Sequence, residues 1–529
     1  MKIGPLLNDS ILVVDEAHNI LNLCEDSKTK SIDYKNIIDE IKRLNDEKNT
    51  NNKEKKEDKN KKENMKNKEK KEHKNKKENI NYKEKKEYEI KIEEYRGNIL
   101  EYLEILQKGM FRFYEEKKKH LSKIKPYCLI DKKDLLSIFN VEIYDIIRLV
   151  INKYLELISK EHKADKKLEK IRSFIWLLNH IKNEVNDDYM FSLSLIPKKR
   201  KEKNKNILNF RINIYCFNPS IEFKQILSLK PYRIILTSGT LSPFSFFESQ
   251  LDHCFNVKYQ GNHVIGQDSF IFKFITNYSL PLVNPTKKVN HRFYFTYDAK
   301  NLDFQYKALG YLLNDLCSVT PGGILIFFSS YEKIDNCLSV WKNEGLYDKI
   351  NSVKNIFKEK EKGKVLEDPL NSFKQNINNG LGGIFISVFR GKISEGINFN
   401  HNLARVLINI GIPFINKNNE KYGLKEQFFE KKNKDFDQWI KNDAIFAMNQ
   451  ACGRLLRDKT DYGVILNVDL RNERHISLFS GWLKNSGPKC VTYKCDLNEK
   501  YEVNVNNNKF IQEIDSFFKR MSQNNEISN

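Results

Sequence analysis

The apolar residues of the chain recur at different periods in different places, and those periods divide it into parts. Ile11-Leu12-Val13-Val14 is a short continuous apolar run and predicts a buried strand. Hydrophobic spacing is then almost absent between Asn45 and Tyr88. It returns at intervals of three and four, as in Ile99-Leu100-Leu103-Ile105-Leu106 and Ile143-Ile146-Ile147-Val150-Tyr154-Leu157-Ile158, so residues 89–205 predict an all-helical domain. Beyond residue 206 short apolar runs alternate with loops and helical stretches. Strands are expected at 212–217, 233–236, 324–328, 384–388, 406–410 and 464–468, with helices near 331–344, 369–378 and 436–456. This alternation predicts an α/β architecture of parallel sheets covered by helices, with working residues in loops at the carboxyl ends of the strands.

Composition changes the picture in three ways. The 529 residues leave room for two to four domains, and 40% hydrophobic residues with 34 Phe and 24 Tyr exclude wholesale disorder. Residues 45–88 differ from the rest: they hold 17 Lys against 11 Asp and Glu, and Lys-Glu-Lys-Lys-Glu recurs at 53–57, 68–72 and 83–87. With so little to bury, that tract reads as a disordered, solvated insertion, or a transiently helical one. The balance of 91 Lys and Arg against 70 Asp and Glu, a net charge of +21, favours a polyanionic partner such as nucleic acid or an acidic membrane face.

No run approaches the ~18 apolar residues of a membrane span, and Met1-Lys2-Ile3-Gly4-Pro5 lacks a signal-peptide core, so a soluble intracellular protein with no membrane partner is expected. The nine Cys are scattered without a CxxC pair; Cys490 and Cys495 are nearest and make no four-ligand set, so reduced thiols are expected. Pro197-Lys198-Lys199-Arg200-Lys201 is a run of the type that nuclear import receptors read, a solvated loop being the alternative.

Four segments carry candidate chemistry. The strand at 11–14 runs into Asp15-Glu16-Ala17-His18, and paired carboxylates at a strand end suit a nucleotide hydrolase: one positions Mg²⁺ and the other orients the attacking water. The strand at 233–236 ends in Thr237-Ser238-Gly239-Thr240-Leu241-Ser242-Pro243, whose hydroxyls can exchange hydrogen-bond partners when a ligand arrives. The segment from Arg390 through Gly391, Lys392, Ile393, Ser394, Glu395, Gly396, Ile397 and Asn398 to Phe399 joins two cations and a carboxylate to flexible glycines, a composition suited to phosphates. In Gln450-Ala451-Cys452-Gly453-Arg454-Leu455-Leu456-Arg457, the two Arg are three apart, as on one helix face, where two guanidinium groups could clamp a γ-phosphate.

In this order the segments resemble motifs II, III, V and VI of the superfamily-two helicases, most nearly those of the XPD-like iron–sulfur DNA helicases. Asn213-Ile214-Tyr215-Cys216-Phe217-Asn218-Pro219, Asn262-His263-Val264-Ile265 and Ile410-Gly411-Ile412-Pro413-Phe414 are similar to the FANCJ and telomere-length-regulator branch, and residues 323–331 to motif IV. The resemblance covers roughly 9–30 and 206–520. It implies two RecA-like lobes: a remnant of the first at 1–44 with its remainder at 206–290, an arch-like helical domain at 89–205, and the second lobe at 291–529. It also implies that Asp15 holds Mg²⁺ through water, that Glu16 activates water and that His18 communicates with motif III. Thr237, Ser238, Gly239 and Thr240 would couple nucleotide state to DNA grip. Arg390, Lys392, Glu395 and Gly396 would line the second lobe, and Gln450, Arg454 and Arg457 would surround the γ-phosphate of ATP.

The sequence departs from the pattern in places. No Gly-x-x-x-x-Gly-Lys-Thr/Ser segment occurs; Gly363-Lys364 and Gly391-Lys392 are followed by Val and Ile. In the family that loop and the four Cys of a 4Fe–4S cluster precede the Asp-Glu-Ala-His strand, where this chain has fourteen residues before Asp15. An amino-terminally truncated helicase, inactive alone, is therefore expected, with the cluster in the missing segment. Asn398 stands where the family carries Asp, and Asn472 where Asp469-Leu470-Arg471 would be followed by Phe. The resemblance implies a nuclear ATP-dependent helicase moving five-prime to three-prime on single-stranded or forked DNA beside repair or replication proteins. The alternative is a non-catalytic DNA-binding or scaffold protein derived from one.

Overall fold

The computed structural model describes residues 7–65, 76–122, 126–139, 144–159, 165–182, 187–196, 209–278, 292–296, 299, 302–359, 368–391, 393, 397, 399–486, 489–491 and 505–528. In chain order their strands are β1 (Ile11–Val14), β2 (Lys30–Asp33), β3 (Tyr127–Ile130), β4 (Tyr189–Leu195), β5 (Phe210–Cys216), β6 (Arg233–Leu236), β7 (Phe270–Ile275), β8 (Gly323–Phe328), β9 (Ile356–Lys358), β10 (Gly383–Val388), β11 (Val406–Ile410), β12 (Gly463–Val468) and β13 (Lys489–Val491). The residues group into two units. One comprises 1–11, 19–233 and 417–432; the other comprises 12–18, 234–416 and 433–529.

In the second unit β8, β10, β11 and β12 are buried along their whole length, as apolar runs without polar alternation require when helices cover both faces. They form a seven-stranded sheet in the order β13-β7-β12-β11-β8-β10-β9, and its pairings are parallel. Side chains alternate across it. Ile324, Ile326 and Phe328 join one core with the helices Leu302–Val319 and Tyr331–Asn343. Leu325 and Phe327 join the other with Pro369–Asn378 and Phe436–Cys452. Because β7 belongs to this sheet, the second lobe takes in residues from Phe270 rather than beginning at 291.

At the start of β8 a Cβ on Gly323 would lie 2.1 Å from the Leu403 carbonyl oxygen. The obstacle is backbone held by β11, whose preceding Arg405 N–H donates to Gly323 O at 2.8 Å. Gly323→Ala is therefore expected to cost about 2 kcal/mol or more, read as a lower urea midpoint at unchanged slope.

The first unit is helical but carries a sheet. The helices Tyr34–Met65, Lys76–Lys117, Tyr144–Ser159 and Lys166–Lys182 share one core with β2, β3, β4 and β5, which form an antiparallel sheet in the order β2-β5-β4-β3. The expectation of an all-helical 89–205 is thus corrected. Tyr-Met-Phe-Ser-Leu-Ser-Leu in β4 has a strand's period of two, and β5, expected in the first lobe's parallel sheet, pairs with it instead. Asn213 explains part of that pairing: buried in β5, its Nδ2 donates to Ser194 Oγ at 2.8 Å, Ser192 Oγ at 3.2 Å and Glu420 Oε1 at 3.0 Å. Glu420 opens the helix Glu420–Lys431, which lies in the sequence of the second lobe but belongs to this unit.

The 45–88 tract also differs from expectation, because Tyr34–Met65 and Lys76–Lys117 run through most of it as helix. Lys and Glu are good helix formers, and the buried turns at Tyr34–Leu44 and Ile92–Phe113 nucleate each end. The basic run 197–201 lies outside the described residues.

Candidate functional site

β1 and β6 deliver the first set of candidates. Tyr232 N–H donates to Ser10 O at 2.8 Å before the pair, and Thr237 N–H to Val14 O at 3.0 Å after it, so the two strands run together and end together. Ala17 N–H then donates to Thr237 O at 3.0 Å, locking the turn after β1 against the turn after β6. In that turn Glu16 has φ 48°, a left-handed conformation that costs a non-glycine residue on the order of 1 kcal/mol. Its N–H is held by Asp15 Oδ1 at 2.9 Å.

This backbone brings three side chains together. The Ser238 hydroxyl donates to Glu16 Oε2 at 3.2 Å, while His18 Nδ1 lies 2.8 Å from Ser238 Oγ and 3.1 Å from Glu16 Oε2. A proton on Nδ1 makes the imidazole a donor to both, giving a carboxylate–hydroxyl–imidazole chain across the two turns. The Glu16 side chain is 58% exposed and His18 11%, so the carboxylate meets solvent and the ring stays covered. Asp15 is exposed beside them. Thr240 N–H donates to Ser238 Oγ at 3.4 Å, and its own hydroxyl is buried without a partner among the described residues. Gly239 has no atom within 4 Å of where a Cβ would stand, so packing there does not demand glycine.

The second-lobe candidates do not gather in one place. Arg390 follows β10 at the carboxyl edge of the large sheet, with φ 59°, and its Nη2 donates to Asp443 Oδ2 at 2.6 Å and Asp443 O at 3.0 Å. Gln450 sits in the last turn of the helix Phe436–Cys452, but Arg454 and Arg457 lie past its end. The shared helix face that their spacing predicts is therefore absent.

Asp461 shapes the turn instead. It is 1% exposed and accepts from the backbone N–H of Arg457 and Asp458 at 3.1 Å each and of His401 at 2.8 Å, with the Arg405 guanidinium 3.6 Å away. Arg454 is buried and Arg457 exposed. The turn leads into β12, so it stands at the amino edge of the sheet, opposite Arg390, and not at a carboxyl end. A helix connecting parallel strands runs back against them and returns the chain to the edge where they begin. Lys392, Ser394, Glu395, Gly396 and Asn398 lie outside the described residues.

Sequence reasoning noted Asp469-Leu470-Arg471 but gave it no role, and the structure makes it part of a cationic cluster at the carboxyl edge. Asp469, fully buried after β12, accepts from Arg471 Nε at 2.8 Å and Nη2 at 2.7 Å, and from Phe295 N–H at 3.0 Å. The guanidinium so fixed lies over the Tyr294 ring at 5.0 Å and the Phe414 ring at 5.8 Å. Lys333 donates to Phe295 O at 3.1 Å, and burial, then the Arg471 charge, hold it below the ordinary lysine value. The Asp-x-Arg spacing was the available signal. Asn472, where Phe was expected, is buried, and its amide has no partner among the described residues.

Two imidazoles are held below their ordinary value. Burial, then the Arg457 guanidinium, does this to His263; burial, then Lys441, Arg471 and Arg474, does it to His475. Each takes up a proton more readily once the chain unfolds. Their contribution is thus complete above the free value of 6.5 and is lost as the pH falls below it. The thermal midpoint is expected to drop between about pH 7 and about pH 5, and less steeply in a His263→Gln, His475→Gln variant.

Comparison with known proteins bears on the same segments. A family model described as "Helicase C-terminal domain" matches residues 313–486. The regulator of telomere elongation helicase 1 homologue of Aedes aegypti is 31% identical over 308 residues, covering 56% of this chain and 29% of the relative. That of Drosophila melanogaster is 29% identical over 293 residues, covering 53% and 29%. The chain thus spans under a third of these relatives' length. Among solved structures, an XPD helicase aligns over 91% of this chain and 67% of its own at 17% identity and TM-score 0.46, and Xpd4 of S. tokodaii over 90% and 75% at 14% and 0.45. The region matched by the family model includes β8, β10, β11 and β12, the helix end bearing Gln450 and the turn bearing Arg454 and Arg457. Residues 313–486 of this chain thus match a helicase C-terminal domain, and over about half its length the chain is similar to regulators of telomere elongation helicase.

Proposed function

We propose that the chain is the working part of an ATP-dependent DNA helicase of genome maintenance that moves five-prime to three-prime along a single strand in the nucleus. The observation that carries this reading is the Ser238 hydroxyl, shared between the exposed Glu16 carboxylate and the covered His18 ring. A carboxylate free to take a proton from water, and wired to a second strand end, suits hydrolysis coupled to movement.

The residues fit a hard cation: Asp15 and Glu16 offer exposed carboxylate oxygens of the kind that hold Mg²⁺ through water. Bound there, Mg²⁺ would neutralise charge developing on the phosphates. Glu16 would orient and deprotonate the attacking water, and Ser238 would pass the change in Glu16 to the turn after β6. The exposed Arg457 would meet the γ-phosphate, with Gln450 beside it and the buried Arg454 supporting the turn. Arg390, Lys333 and Arg471 at the opposite edge would hold a DNA backbone, so grip should weaken with salt and ignore base sequence. Among the described residues no group of cysteines could hold a 4Fe–4S cluster. Repair or replication proteins are the proposed partners.

The reading is tested with Ser238→Ala in the chain joined to a phosphate-binding loop. Strand separation is expected to fall about tenfold while hydrolysis without DNA changes little, the mark of lost coupling. Unwinding that keeps pace with hydrolysis in the variant would contradict the assigned role. Absence of DNA-stimulated hydrolysis in the parent protein would favour the second reading, a DNA-binding scaffold.

A further inference from the structure

Resting on the nucleotide reading above, we infer that the stacked His263–Trp482 pair seats the base of the nucleotide whose phosphates Arg457 meets. The two rings lie 4.4 Å apart at 29°, and Trp482 is braced edge-on by Phe270 at 5.4 Å and 61°. Trp482 rests on the core that holds Phe270, and both His263 and Trp482 remain partly exposed, so part of the stack still faces solvent.

Its position follows from the strand register. His263 lies in the loop that enters β7, and Arg457 in the turn that enters β12. Those strands are parallel neighbours whose first residues, Phe270 and Gly463, face each other. Both segments therefore stand on the amino edge of the sheet, side by side. Trp482 is tied to the same place from the other direction. The Asn449 side chain, 1% exposed and next to Gln450, donates to Leu478 O at 3.3 Å and accepts from Ser480 N–H at 3.1 Å, fixing the chain two residues before Trp482. A Cβ on Gly481 would lie 2.2 Å from Gln260 Nε2, so the loop carrying His263 rests directly on the start of the Trp482 helix.

The chemistry suits a purine. Ile265 N–H donates to His263 Nδ1 at 3.3 Å, which makes Nδ1 the acceptor and leaves the proton on Nε2. Burial and the Arg457 charge both favour this neutral form. A neutral, oriented imidazole backed by an indole offers a flat π-surface and one N–H donor, the groups that grip a base by stacking and a single hydrogen bond. Such a seat needs no triphosphate contact of its own, since the guanidinium alongside supplies it.

The experiment separates base from phosphate. ATP and inorganic tripolyphosphate are titrated into the full chain by calorimetry, up to millimolar ligand, with tryptophan fluorescence followed in parallel. Trp482→Leu and His263→Ala are expected to weaken ATP about tenfold and leave tripolyphosphate unchanged. Trp482→Phe and His263→Phe, which keep a ring, should recover most of the loss. Arg457→Ala should weaken both ligands. Equal weakening of ATP and tripolyphosphate by the pair variants would mean that the rings only support the turn, and undiminished ATP binding would put the base elsewhere; either overturns the inference alone. Failure of the unaltered chain to bind either ligand would overturn the nucleotide reading and this inference with it.

Discussion

Replacing Lys425 alone with Met is expected to lower the unfolding free energy by roughly 3–5 kcal/mol. Lys425 and Glu25 are 400 positions apart in sequence, and their side chains are 4% and 3% exposed with Nζ and Oε1 2.6 Å apart. Glu25 Oε2 is buried without a hydrogen-bond partner among the described residues, so this carboxylate already depends heavily on its one cation. Removing the ammonium strands a charge away from water, and the loss reflects that penalty rather than the net worth of the pair. A Glu25→Leu, Lys425→Met double variant should therefore recover most of the stability. Urea unfolding of the four proteins of the cycle reads this out; additive losses would contradict it.

The consequence reaches beyond stability. Lys425 lies on the helix Glu420–Lys431, which also contributes Glu420 to Asn213 and packs Phe428 against Phe217. The chain leaves the second lobe's sequence at about residue 417 and returns at about 432, so this helix is held in the first unit by a buried ion pair, a buried amide and aromatic packing.

The second large effect is on chemistry. Glu16→Gln, in the chain joined to a phosphate-binding loop, is expected to reduce ATP turnover by roughly 100-fold or more while leaving nucleotide binding intact. Glutamine keeps an oxygen that can accept from Ser238 at the position of Oε2, so the geometry of the two turns should survive. It cannot take a proton from water. A loss of binding equal to the loss of turnover would instead mean that the side chain holds ligand, and unaltered turnover would remove Glu16 from the reaction. For residues 1–529 alone no appreciable hydrolysis is expected.

Much of the large sheet was legible because its strands obey a local rule. Ile-Leu-Ile-Phe-Phe in β8 and Val-Leu-Ile-Asn-Ile in β11 are apolar on both faces, a pattern only a covered parallel strand satisfies, and the helix Pro369–Asn378 begins at a proline behind an Asp that caps it. The turn after β1 was legible because apolar residues ending in Asp-Glu mark a strand end, although Ile11 and Val13 of that strand, expected to be buried, are exposed.

What stayed hidden depended on pairing across the chain. β4 alternates at period two, yet its seven residues sit among long helical stretches and only their partner β5 reveals the sheet. Glu420–Lys431 was not read as an element at all, and nothing local says that Glu25 awaits Lys425. The three-residue spacing of Arg454 and Arg457 suggested a helix face, but Gly453 follows the last helical residue and Asp461, four residues beyond Arg457, captures its backbone. The amino-edge position of that turn is a fact of connectivity, invisible in spacing.

On this reading Glu16 and Arg457 act on one triphosphate, and a double-mutant cycle on ATP turnover stimulated by single-stranded DNA, in the chain joined to a phosphate-binding loop, tests it most directly. Glu16→Gln and Arg457→Ala should each lower turnover by about two orders of magnitude, and the double variant should be no slower than the worse single one, as for groups serving one transition state. Strictly multiplicative losses, or full turnover in either single variant, would show that the two residues do not share a reaction.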